Sequence, residues 1–481
     1  MKESDRVRIK SLKRWARQHG AMLHPLLEVY HDEVTKFSLR VKESATEALQ
    51  PGFAAVSCSL PITMSYLNAV VDGPLVLPFT STDQHTSSFP EKFMETIPPH
   101  VIGRFFLMQQ YLQSDRSFWW PYIATLPKPE HFASWALPAC WPDEDIEILE
   151  GTNAYAAIDE IQENLKPEFK QARKILKGEN FNNWQDYTRL LYNWAFCIFT
   201  SRSFRPSLIL SPENQDSISH LLPSNCGIDD FSILQPLFDI ANHSMTAKYS
   251  WDITTDPTSC QLICQDAYPP GAQVFNNYGL KTNSELLLGY GFILPETEEL
   301  HNDYIHVRKK KTDDEPKAGQ PQDFVVSLRP LTHPSSLAGR SRVRPPVSTV
   351  SFPLHLLPQF LHIEPSLIYN LASEVSTPEE TQVMAELGPF APDYVPEKSP
   401  PPPGLETLVE GITLGLMSKL EYDLQRLEDT EPEQQQQQTQ PSNMNVNQAL
   451  AYQYRTQCKK VLIAALGSLR GCVQSLSQDS F

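Results

Sequence analysis

The chain has 481 residues, of which 41% are hydrophobic and 10% aromatic. These proportions exclude an intrinsically disordered chain, and the length exceeds what one ordinary core supports. Its 40 Lys and Arg stand against 57 Asp and Glu, a net charge of −17, which argues against general binding to nucleic-acid phosphates. The same charge suits a basic protein partner, and it equally suits solubility alone.

From the N-terminus, Leu12, Trp15 and Ala16, then Met22, Leu26 and Val29, recur at helical spacing. Gly20 is expected to end one short helix within that stretch. Pro51-Gly52 signals a turn, and Phe53 to Cys58 reads as a strand. Breakers follow at Pro74, Pro78 and Pro90. From Ile97 to about Leu210 the pattern is mostly helical, with Ile102, Phe105, Phe106, Met108 and Leu112 on one face. Phe181 to Phe204 is predicted as a further helix rich in Trp and Tyr. Strands return at Trp251–Ile253 and Gln261–Cys264, and Pro269-Pro270-Gly271 turns the chain before Val274-Phe275.

Arg308 to Lys311 is a basic run, but Asp313, Asp314 and Glu315 follow it, which favours a solvated loop. Beyond Leu354 the tail is expected to be mainly helical. Pro400 to Pro403 reads as an extended spacer and Gln434 to Gln438 as a disordered loop, with a last helix from Val446 to Leu469. The eight cysteines form no dense framework, which points to a reducing compartment. Cys260 and Cys264 have no second Cys or His pair nearby, so no metal site is expected. No stretch is long and apolar enough to span a bilayer, and the charged N-terminus lacks an apolar signal region. The expected location is the cytoplasm, the nucleus or both, with no membrane partner.

The stretch from Leu237 to Phe292 carries the chemistry. Three apolar elements each end in a small polar or aromatic group: Asn242-His243-Ser244, Asn276-Asn277-Tyr278-Gly279 and Tyr290-Gly291-Phe292. Functional groups tend to sit where a chain leaves its core. The ordered motifs are DxxNHS at Asp239 to Ser244, NYG at Asn277 to Gly279, NSELLLGYGF at Asn283 to Phe292 and SRSF at Ser201 to Phe204. In this order and spacing they resemble the SET-domain protein methyltransferases, in the branch of the Rubisco large-subunit methyltransferase and the actin-histidine methyltransferase. The resemblance covers roughly the first two-thirds of the chain and continues more loosely into the tail.

That resemblance implies an α+β fold, a SET β-fold core split by a helical insertion and followed by a mainly helical C-terminal domain. It places N-terminal helices and the first part of the SET core at 1–96, the insertion at 97–225, the second part of the core at 226–300 and a substrate-binding helical domain at 301–481. Loops near 396–404 and 430–445 are expected to be disordered. The implied cofactor is S-adenosylmethionine, and the implied partner is a non-histone protein with an exposed lysine. Tyr278 is the implied catalytic residue. Asn242, His243, Tyr278, Arg202 and Gly52 are the implied cofactor contacts. Phe204, Trp251, Tyr290 and Phe292 are implied to line the substrate channel.

The family opens its core with a Gly-x-Gly turn. The matching stretch here is Gln50-Pro51-Gly52, which keeps only the second glycine. Taken singly, these residues also have structural readings: a core Tyr at a strand end, an Asn cap, an Arg ion pair and packed aromatics. Two other functions fit the motifs: a catalytically inactive partner-binding protein, and a histidine methyltransferase.

Overall fold

A computed structural model of the protein describes residues 2–32, 35–77, 86–308, 323–336, 352–388, 400–432 and 444–478. Pro78, the charged run beyond Arg308, the Gln-rich stretch and residues 389–399 lie outside the described residues. The chain divides into two units. The first comprises Met1–Ala136 with Ile161–Gly279, and the second comprises Leu137–Glu160 with Leu280–Phe481.

The first unit opens with helix α1 (Glu3–Gln18), which buries Ile9, Leu12, Trp15 and Ala16 on one side. Gly20 follows it with φ +84, consistent with the expected stop. The helical pattern expected over Met22 to Tyr30 is instead a run of strands, β1 (Met22–Leu23) and β2 (Leu27–Asp32). Pro25 cannot continue a helix, and the alternation of buried Leu27 and Val29 with partly exposed Glu28 and Tyr30 suits a half-buried strand.

β2 turns back into β3 (Lys36–Val41), with Asp32 paired to Lys36 and Leu27 to Val41. β9 (Gln273–Val274) completes this three-stranded sheet in the order β2-β3-β9. A second sheet has the order β1-β4-β8-β7, built from β4 (Phe53–Ser59), β7 (Tyr249–Asp252) and β8 (Ser259–Cys264). All its pairings are antiparallel. β5 (Ser203–Phe204) and β6 (Ile233–Leu234) pair in a third small sheet. The strands expected around Phe53, Trp251 and Gln261 are therefore present.

The β2–β3 turn carries a local strain. Lys36 has φ +67, a left-handed conformation that favours glycine. Lys36→Gly is expected to hold or raise the stability of the fold, by up to about 1 kcal/mol, in chemical denaturation. A loss of 1 kcal/mol or more would contradict that reading.

Between the sheet segments the first unit is helical. α2 (Tyr66–Val71) carries a capping box from Ser65 and Asn68. α3 (Pro99–Gln113) buries Ile102, Phe105, Phe106 and Met108 as expected, while Leu112 is 37% exposed. Each fully buried Phe contributes on the order of 2–3 kcal/mol of transfer free energy. A long helix, α4 (Asn153–Gly178), is divided between the units at Ile161. α5 (Arg189–Arg202) starts at a Thr188 cap rather than at Phe181, and its last turn delivers Arg202.

In the second unit, α6 (Asn283–Tyr290) opens with a Thr282–Glu285 capping box and ends at Gly291. β10 (Tyr304–Arg308) pairs antiparallel with β11 (Asp323–Ser327). The tail is helical as expected: α7 (Pro365–Val375), α8 (Pro378–Leu387), α9 (Glu406–Asp429) and α10 (Val446–Gln478). α9 and α10 lie against each other, each burying an apolar stripe that includes Leu416 and Leu420 on one and Leu462 and Leu466 on the other.

Asp303, buried beside β10, has its carboxyl pushed up to about 6, by burial first and then by the nearby Glu296 charge. An unfolded Asp titrates near about 4, so the folded state holds this proton more tightly. Its contribution therefore falls as pH rises from about 4 through 6 and is absent above. Asp303→Asn is expected to be more stable than the parent at pH 8, by on the order of 1–3 kcal/mol, with the difference vanishing near pH 4. Denaturation at both pH values checks this.

Candidate active site

The site residues of the first unit come together where apolar segments end. Leu237 to Ala241 is almost entirely buried and includes a single helical turn at Phe238–Ile240. After it, His243 bridges in parallel to Asn276. The Asn276 amide donates to the Asn242 carbonyl at 2.9 Å, and the Ser244 amide donates to the Asn276 carbonyl at 2.9 Å. This pairing brings the Asn242-His243 pair beside the Asn277-Tyr278-Gly279 turn.

Two further bonds fix Tyr278. Its backbone N–H donates to His243 Nδ1 at 3.0 Å, and its phenol donates to the Ala241 carbonyl at 3.0 Å. The two rings stack with centroids 5.1 Å apart. A nitrogen that accepts from a backbone N–H carries no proton, so His243 is the neutral imidazole protonated at Nε2. The phenol proton of Tyr278 is committed to Ala241, which leaves its oxygen lone pairs to face a donor. Gly279 closes the turn at φ +97, and its amide donates to Asn277 Oδ1 at 2.9 Å.

Asn242 reaches β3. Its Nδ2 donates to Ser38 Oγ at 2.5 Å and to Thr35 Oγ1 at 2.9 Å. The positive-φ turn next to Asn242 is thus the one at Lys36. Gly52, with φ +94, sits at the entry to β4, where its amide donates to the Cys264 carbonyl at 2.7 Å. It hydrogen bonds to none of the other candidates, and a Cβ there would meet nothing within 4 Å. Gln50 is exposed, and its side-chain amide donates to the nearby Ala48 carbonyl at 3.2 Å.

Arg202 meets Asp239 beneath this group. Its Nη1 donates to Asp239 Oδ2 at 3.2 Å and to the Asp239 carbonyl at 3.3 Å. Tyr122 donates its phenol to the same Oδ2 at 3.0 Å. The Asp239 side chain is 1% exposed, whereas that of Arg202 is 29% exposed. Burial raises the Asp239 carboxyl above the ordinary range, against the opposing pull of the Arg202 charge and the Tyr122 hydrogen bond. Tyr122 lies in the stretch Trp120 to Pro127, which shares the resemblance more thinly, and no site role was expected of it.

Of the implied channel residues, Phe204 and Trp251 come together, with centroids 5.4 Å apart and Phe238 touching both at 5.2 and 5.7 Å. Tyr290 and Phe292 belong to the second unit, where their rings lie 6.2 Å apart. Among the described residues no group of three or more His, Cys, Asp or Glu is placed to hold a metal, and no disulfide is present.

No protein-family model matches the chain. A ribosomal lysine N-methyltransferase, set10, of Schizosaccharomyces pombe is 34% identical over 42% of this chain and 33% of its own length. The protein-lysine N-methyltransferase EFM1 of Saccharomyces cerevisiae is 23% identical over 58% of this chain and 48% of its own. The mouse actin-histidine N-methyltransferase is 24% identical over 37% of this chain and 27% of its own. The chain thus spans less than half the length of the curated relatives it matches.

Solved structures match across nearly the whole chain. Rubisco LSMT bound to AdoMet has a TM-score of 0.57 at 16% identity, covering 98% of this chain and 93% of that one. The SET domain of LSMT bound to lysine and AdoHcy has a TM-score of 0.59 at 15% identity, with the same coverage. The chain therefore has the α+β SET fold in the form taken by the Rubisco large-subunit methyltransferase, and its sequence is similar to SET-domain methyltransferases of that branch.

Proposed function

We propose that the protein is an S-adenosylmethionine-dependent protein methyltransferase that modifies lysine on a non-histone protein of the cytoplasm or nucleus. The observation that carries the reading is the fixing of Tyr278 by His243 and Ala241, which joins the two motifs in one small site. The ligands named for the solved neighbours, AdoMet, AdoHcy and lysine, support it.

The donor set fits such a cofactor. Asn242 Oδ1 accepts no hydrogen bond among the described residues, so it is open to the ammonium of an amino-acid moiety. Arg202 keeps Nε and Nη2 out of hydrogen bonds among the described residues, and a guanidinium fork suits a carboxylate. Bound S-adenosylmethionine would supply an electrophilic methyl on a sulfonium. The residues present then have a positioning task. The Tyr278 oxygen, with its own proton committed, accepts from the substrate amine and orients its lone pair for in-line attack. The faces of Phe204 and Trp251 favour a cationic or polarised methyl-bearing group and exclude water. The net charge of −17 favours encounter with a basic segment of the substrate. The mainly helical C-terminal part, 301–481, is the proposed receiver of that protein.

Titration calorimetry of the folded protein with S-adenosylmethionine is the first test, and absence of binding would sink the reading. Labelled S-adenosylmethionine in an extract of the source cells, followed by mass spectrometry of the labelled protein, identifies the acceptor. Label on histidine would shift the assignment to the chemistry named for the mouse relative.

A further inference from the structure

Asn242 offers one face of its carboxamide to the site, and a chain of hydroxyls decides which. Asp32 Oδ1 accepts from the Thr35 amide at 2.8 Å and from the Thr35 hydroxyl at 3.0 Å. A carboxylate only accepts, so the hydroxyl proton of Thr35 is committed there. Towards every other neighbour Thr35 Oγ1 is therefore an acceptor. It lies 2.7 Å from Ser38 Oγ, so the Ser38 proton has an acceptor in Thr35, with the Tyr30 phenol opposite it across the hairpin as a second choice. Either way Ser38 Oγ has only lone pairs left for Asn242.

Two acceptors thus face the Asn242 amide, and only its NH₂ group satisfies both. The reversed amide would set its carbonyl oxygen against the Thr35 lone pairs and draw the Ser38 proton away from Thr35. Ser38 is fully buried, whereas Asn242 is partly exposed, so the carbonyl end is the one that meets a ligand.

We infer that Thr35 and Ser38 are positioning residues that lock Asn242 with its carbonyl oxygen toward the cofactor pocket, so that the site selects a ligand bearing an α-ammonium over one without it. The inference rests on the methyltransferase reading above. It concerns residues outside every recognised motif, on a turn with no glycine.

The test is calorimetry of the full chain with S-adenosylhomocysteine and with its analogue in which hydrogen replaces the α-amino group. The parent protein is expected to prefer the amine by about tenfold or more, since a site built around a hydrogen bond rejects a ligand lacking it. Thr35→Val with Ser38→Ala is expected to narrow that preference to about twofold, because the amide is then free to turn. Thr35→Ser, which keeps the hydroxyl, is expected to retain the parent preference. Ser38 is buried, so Thr35→Val alone, at an exposed position, serves where the double variant does not fold, with a narrowing of about threefold. A purely structural role would weaken both ligands alike and leave their ratio unchanged. An undiminished ratio in the variants, or equal binding of both ligands by the parent, overturns the inference while the methyltransferase reading stands. Binding of neither ligand by the parent overturns both.

Discussion

Tyr278→Phe is expected to lower the rate of methyl transfer by about a hundredfold or more, with S-adenosylmethionine affinity held within about threefold. The substitution removes one oxygen. It leaves the backbone N–H that donates to His243 Nδ1, and it leaves the ring that stacks on His243. The turn and the cofactor wall therefore persist. What disappears is the acceptor that orients the incoming amine, together with the donor to the Ala241 carbonyl. Loss of that donor costs about 1 kcal/mol of stability, too little to unfold a chain of this size. An effect confined to turnover separates an orienting role from a packing role. A variant that methylates at the parent rate would remove Tyr278 from the chemistry.

The same bond explains why this part of the site was legible in the sequence. Asn242, His243, Asn277 and Tyr278 stand at the ends of apolar runs, and a run that stops on polar groups is visible without a structure. The SET fold was legible for the same reason, through motifs whose order survives insertions between them. The β2–β3 hairpin was not. Val29 falls at helical spacing from Met22 and Leu26, and only Pro25 marks the break.

The partner of Asn242 was hidden for a different reason. Ser38 lies 204 positions away, beyond a turn in which Lys36 takes a left-handed conformation, whereas the glycine turn was matched at Gln50 to Gly52. Gly52 drew attention because it is a glycine, yet its conformation serves the entry to β4. Arg202 was legible as a site residue, but its engagement with Asp239 and Tyr122 required the fold.

That engagement carries the second large effect. Arg202→Met is expected to destabilise the first unit by about 3 kcal/mol at pH 8, because a buried carboxylate then lacks its counter-charge. The Asp239 side chain is 1% exposed, so water cannot replace the guanidinium. Burial already raises its carboxyl, and the Arg202 charge is the main force opposing that rise. Removing Arg202 must therefore raise it further. For an acid whose folded value lies above its unfolded one, the penalty is felt only while the carboxyl is charged. It declines as pH falls through the folded value. The gap between parent and variant is thus expected to shrink on acidification in denaturation experiments.

Adding Asp239→Asn to Arg202→Met should recover more than half of the loss at pH 8, since the amide keeps an acceptor for Tyr122 without the charge. A gap that is constant with pH would instead mean that Arg202 acts through the packing of its carbon stem against its neighbours. Because Asp239 lies two residues from the Ala241 carbonyl that holds Tyr278, the pH at which the ion pair weakens should also be the pH at which the orienting bond of Tyr278 loosens. Turnover of the parent protein is accordingly expected to fall on acidification as the Asp239 charge is lost, while the stability penalty of that buried charge declines, and Asp239→Asn should flatten both profiles.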